Sequence, residues 1–145
     1  MPETNCGSSS SNSLVIMGPL LGVSIGFDPM WQPSQPQPPV LDLINIPALV
    51  DTGSTESCID NLLGSELGLP IVDRRGVFGI HGVKKVNMYL AQIYIPRVDR
   101  TIYGAFAGVD LTTGGQFYKA LIGRGFLQNF IMTYNGRSGT VTISW

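Results

Sequence analysis

Apolar positions fall in short runs, mostly at a spacing of two, and glycine, proline or small polar residues interrupt them. That rhythm predicts strands rather than helices. Residues 13–27 read as two strands broken at Gly18-Pro19, because proline has no N–H for a central ladder. Residues 40–50 read as one or two short strands, with Pro47 at an edge or a bend. Val86, Met88 and Leu90, then Ile93 and Ile95, predict a long hairpin over 75–96, with a register change near Ala91-Gln92 and Gly79-Ile80-His81-Gly82 at its tip. Further strands are expected at 101–109 and 120–123, and a closing hairpin at 131–145 turns on Asn135-Gly136. Two short helices complete the pattern. One spans 60–68, capped by Asp60 or Asn61, with Leu63 and Leu67 on one face, Gly64 as a weak point and Gly68 as the stop. The other spans 124–130, with Phe126, Leu127 and Phe130 on its core side. The expectation is a mostly β domain of about eight strands over 14–145.

Two stretches lack this rhythm. Residues 1–13 are polar and serine-rich, which predicts a disordered N-terminal arm. Residues 28–39 carry Pro29, Pro33, Pro36, Pro38 and Pro39, a stiff loop insertion that cannot join a sheet.

Composition narrows the function. With 145 residues the chain suits one domain that buries roughly 68–70% of its unfolded surface, so no metal or disulfide is needed for a core. A net charge of −1 gives no reason to expect nucleic acid or an anionic membrane as a partner. No apolar run reaches the roughly 18–20 residues of a membrane span. The first residues lack a basic start and an apolar segment, so the expected location is the cytoplasm. There Cys6 and Cys58 would stay unpaired thiols. One histidine and two cysteines make no metal-ligand set, and no cofactor is expected. The low charged fraction, 13%, fits a chain that covers part of its surface with a partner.

The candidate chemistry lies at Ala48-Leu49-Val50-Asp51-Thr52-Gly53-Ser54-Thr55. An apolar strand ends there on a carboxylate, and a buried acid needs partners, a shifted pKa or a function. A glycine-rich hairpin follows some 25 residues later, and Leu121-Ile122-Gly123-Arg124 opens the second helix. In this order the three elements resemble the retropepsin-like aspartic proteases, and most nearly the single-domain bacterial and retroelement forms. The resemblance covers roughly residues 14 to 145. It implies a closed β-barrel with one or two short helices, assembling as a symmetric homodimer. It implies Asp51 as the catalytic aspartate, Thr52 as the residue whose hydroxyl interlocks with its counterpart, and Gly53 as the turn glycine. Ser54 matches a position that is Ala or Ser in the family. Gly79, Ile80, His81 and Gly82 match the flap that closes over substrate, and Leu121, Ile122, Gly123 and Arg124 match the strand and helix start beneath the catalytic loop. The family's usual acid two positions after the glycine is Thr55 here, leaving Glu56 as the neighbouring candidate partner for Arg124. The insertion at 28–39 and His81 in the flap also depart from the family.

Peptide hydrolysis without a metal or a covalent nucleophile needs an activated water. Two carboxyls about 3 Å apart share one proton, so one can act as base and the other as acid. This chain has one Asp-Thr-Gly, so a complete site needs Asp51 from two copies. The expected activity is that of an aspartic endopeptidase whose partners are itself and a peptide or protein substrate. The alternative is an inactive binding or dimerisation module of the same fold. A hydroxyl at Ser54 could also hydrogen-bond the ionised carboxylate and lower its pKa, which predicts an upward shift of the pH optimum in Ser54→Ala.

Overall fold

A computed structural model describes residues 1–80 and 82–145. It contains strands β1 (Glu3–Asn5), β2 (Leu20–Gly26), β3 (Leu43–Val50), β4 (Cys58–Asp60), β5 (Ile71–Gly79), β6 (Gly82–Ile95), β7 (Arg100–Val109), β8 (Ala120–Ile122), β9 (Ile131–Asn135) and β10 (Thr140–Ser144). Helices α1 (Ser11–Met17), α2 (Asn61–Glu66) and α3 (Arg124–Leu127) connect them. The fold is mostly β.

Six strands form a ring in the order β2-β3-β8-β4-β7-β6, closed by pairing of β6 with β2. β3–β8 and β4–β7 are parallel and the other contacts in the ring are antiparallel. β5 lies outside the ring, on the first half of β6. Val23, Ile25, Ala48, Ile59, Ile93, Ile95, Ala120 and Ile122 fill the interior with no exposed surface. Each such aliphatic side chain contributes about 1.5–3 kcal/mol by leaving water, the alanines less. β1, β10 and β9 make a separate three-stranded sheet from both chain ends.

The N-terminal arm expected to be disordered is built into the fold. Glu3–Asn5 pairs with β10, and Cys6 is buried between Val141, whose carbonyl accepts its N–H, and Leu20, which donates to its carbonyl. Polar composition misled here because backbone pairing, which any sequence can supply, holds the arm. The first half of the 13–27 run is helix, not strand. Ser10 caps α1 by accepting the Ser13 N–H at 3.2 Å, and Gly18 at φ +70° ends it with its N–H on the Leu14 carbonyl. Cap and stop decide a run too short for its period to do so. The register change expected near Ala91-Gln92 is absent. β6 runs against β7 without a slip from Met88↔Ala107 to Ile95↔Arg100. Alternation fades because Ala91, Gln92 and Ile93 are all buried. Gln92 is covered by the 28–39 loop: its side-chain amide clamps the Asp28 N–H (2.7 Å) and the Asp28 carbonyl (3.0 Å). The loop closes on itself through Trp31 Nε1 donating to the Gln37 carbonyl, and Trp31 meets Tyr103 edge-on at 5.5 Å.

α2 forms as expected, with Asp60 at its cap and Gly68 at φ +64° after its end. Gly64, read as a weakness, is required by packing. A Cβ there would sit 2.9 Å from the Tyr89 ring, and one at Gly108 would sit 2.5 Å from the same ring. The ring therefore lies between two glycines. The second expected helix is shorter than 124–130, because the chain turns after Leu127. Among the described residues, no helix is long and apolar enough to cross a membrane.

Candidate active site

β3 delivers Asp51 to a place the rest of the ring defines. β8 lies between β3 and β4, with Val50 opposite Ile122, so the chain leaving β3 must loop over the end of β8 before returning as β4. The Asp51 N–H continues the ladder to the Ile122 carbonyl at 2.9 Å. The turn then folds back: Gly53 N–H donates to Asp51 Oδ1 at 2.9 Å, and Ser54 N–H to the Asp51 carbonyl at 3.2 Å. A Cβ on Gly53 would stand 3.1 Å from that carboxylate oxygen, so the glycine permits the close approach. Val50 is buried and Asp51 half-buried, with Thr52 and Gly53 exposed. The carboxylate thus sits at the rim of the core, fixed by one backbone N–H and open to solvent.

The residues after β8 lace this loop from below. Gly123 N–H donates to Ser57 Oγ at 3.0 Å, Arg124 N–H to the Ser54 carbonyl at 2.8 Å, and Gly125 N–H to the Thr55 carbonyl at 2.9 Å. A Cβ on Gly123 would come within 2.6 Å of the Glu56 backbone, so no side chain fits at that position. The Arg124 guanidinium donates to the Thr52 carbonyl at 2.6 Å and to Thr55 Oγ1 at 3.1 Å. Glu56, the partner considered from the sequence, makes no ion pair with it; among the described residues the recorded ion pair is Lys84–Asp110. The Thr55 hydroxyl, not a carboxylate, takes this guanidinium bond. Ser54 is also committed elsewhere than expected: its hydroxyl donates to the Glu56 carbonyl at 2.5 Å and leaves the Asp51 carboxylate alone.

A cleft of about 540 Å³ opens beside the loop, between residues 53–58 and residues 75–78 of the hairpin, with Met88, Ala105 and Ala107 as its floor. The hairpin ends with Gly79 opposite Gly82, the latter at φ +98°, and Ile80 at the tip is fully exposed. Phe78 is 85% exposed. The end of the hairpin thus holds two large apolar side chains in water, a feature of interaction surfaces. His81 lies outside the described residues. Asp51 to Ser54 and Leu121 to Arg124 are brought together; the hairpin stands across the cleft from them.

The Asp51 charge reaches two neighbours. The Cys58 thiol is raised above its ordinary value by burial first, against a hydrogen bond with Ser54, with the charges of Asp51 and Glu56 adding to the rise. The Tyr118 phenol is raised by burial and then by Asp51. Neither Ser57 nor Tyr118 stood out in the sequence. Ser57 meets its partner 66 residues away, and Tyr118 precedes a strand whose neighbour is fixed only by the barrel.

No protein-family model matches the chain, and a search of curated proteins finds no match.

Proposed function

We propose that this protein is an aspartic endopeptidase with a retropepsin-like fold, and that its site is completed by Asp51 of a second copy across a two-fold axis. The observation that carries the reading is the Asp51 turn. A strand ends on a carboxylate held by the Gly53 N–H at 2.9 Å, braced from below by Gly123 and Arg124, beside a cleft walled by residues 75–78 of the hairpin. Bracing matters because acid–base catalysis needs the carboxylate fixed where the water and the scissile carbonyl meet. With two such carboxylates together, repulsion keeps one protonated. The ionised member removes a proton from water, and the protonated member donates to the carbonyl oxygen as the tetrahedral centre forms. The proton pair belongs to the dyad as a unit. Phe78 and Ile80 would close over the peptide and exclude solvent.

Cleavage of a proteome-derived peptide pool by wild type and Asp51→Asn, from acid to neutral pH, tests the chemistry. Wild type is expected to cut and Asp51→Asn to lose at least about a thousandfold in rate. Sedimentation of the active form tests the assembly; an active monomer overturns it. If wild type cuts nothing, the binding or dimerisation module takes its place.

A further inference from the structure

β4 begins only at Cys58 and pairs with β7 along Ala107–Val109. From Arg100 to Phe106, β7 has β6 on one side and, among the described residues, no strand on the other. A cavity of about 440 Å³ fills the place of the missing strand, walled on its far side by Phe126, Gln128 and Asn129. It adjoins the cleft beside the 53–58 loop, since Glu56, Ser57 and Ala105 line both. At its other end Thr101 and Tyr103 also line a smaller hollow of about 180 Å³ under the proline-rich loop. Thr101, Tyr103, Ala105 and Ala107, at alternate positions of one strand, line these three hollows. Six residue steps at about 3.3 Å make a path of about 20 Å, the length of six extended residues.

We infer that this unpaired edge of β7 binds the substrate chain flanking the cut bond, as an added strand running from the cleft towards the Trp31 loop. The inference rests on the protease reading. Backbone N–H and C=O groups left without a strand partner inside a groove select another extended backbone, whatever its side chains. The groove meets the cleft at Glu56, Ser57 and Ala105, which makes its occupant the continuation of a peptide bound in the cleft. Cleavage would then favour long, unstructured segments over short peptides or folded loops.

One peptide cut from the pool is synthesised in full, trimmed by five residues on each side in turn, and N-methylated at alternate flanking positions, which removes its backbone donors. Full-length peptide is expected to exceed the form trimmed on one particular side about tenfold in kcat/KM. That ratio falls to near one in Gln128→Trp, whose ring fills the groove, and with the N-methylated peptide. A ratio of one in wild type, or a tenfold ratio that survives both changes, overturns the inference. If wild type cleaves nothing, the groove is tested separately by amide NMR of the full chain with the blocked peptide acetyl-Thr-Val-Thr-Val-Thr-amide. Shifts confined to residues 101–106 and 128–129 then support the groove while the protease reading falls, and their absence rejects both.

Discussion

Asp60 is the acid whose removal reads the structure most directly. It is 1% exposed, and its carboxylate takes four hydrogen bonds. Oδ1 accepts the N–H groups of Leu111 (3.1 Å) and Thr112 (3.0 Å). Oδ2 accepts Thr112 Oγ1 (2.6 Å) and the Leu63 N–H (3.3 Å). Lys119 joins the same knot, its carbonyl accepting the Asp60 N–H and its ammonium donating to Thr112 Oγ1 at 2.7 Å. The knot therefore holds both ends of the 111–119 segment, which carries Tyr118. In Asp60→Asn one orientation of the amide turns its NH₂ towards the Leu111 and Thr112 N–H groups, and the other towards the Leu63 N–H and a Thr112 hydroxyl that must turn from donor to acceptor. Each buried donor left without an acceptor costs about 1–3 kcal/mol. The second orientation costs less, since Leu63, at a helix start, can relax towards water, so a loss of about 1–3 kcal/mol is expected, out of a total that is commonly about 5–15. The pH dependence has a definite sign. Burial pushes the carboxyl up, but the bonds from Thr112, Leu63 and Leu111 outweigh it and hold the folded value below 3.8. Its contribution is full above that unfolded value and is lost as pH falls through the folded one. Urea unfolding of wild type and Asp60→Asn at pH 7 and pH 3 measures both effects. The gap should be about 1–3 kcal/mol at pH 7 and smaller at pH 3. A gap under about 0.5 kcal/mol at pH 7, or one that is the same at both pH values, refutes the reasoning.

Gly108→Ala should destabilise by about 1–3 kcal/mol, and Gly64→Ala by less, because their Cβ atoms would stand 2.5 and 2.9 Å from the Tyr89 ring; urea midpoints decide the order. Ser54→Ala should leave the pH optimum of cleavage in place, since the hydroxyl donates to the Glu56 carbonyl; a shifted pH–rate profile would show that it serves Asp51 after all. Arg124→Lys keeps the charge but loses the fork that reaches both Thr52 and Thr55, so cleavage should fall at least about tenfold while the far-UV spectrum stays unchanged.

Local pattern carried much of this protein. The apolar run into Asp51-Thr52-Gly53 foretold a strand ending on a turn, because only the chain's own neighbours are needed to make one. The Gly79–Gly82 hairpin end, α2 with its Asp60 cap, and the short strand before Gly123 were legible for the same reason. Pairing across the chain was not. That residues 3–5 form a strand depends on β10, some 140 residues away, and nothing in their polar composition encodes it. Gly64 looked like a flaw in a helix until Tyr89 lay against it. Arg124 had an acid within view in the sequence, Glu56, yet its guanidinium reaches Thr52 and Thr55. The sequence by itself determined where the chain turns and where its one Asp-Thr-Gly lies, since periodicity and turn chemistry act over a few residues. Tertiary structure alone decided what stands beneath Asp51 and which edge of β7 is left open, since both depend on strands brought together from distant parts of the chain.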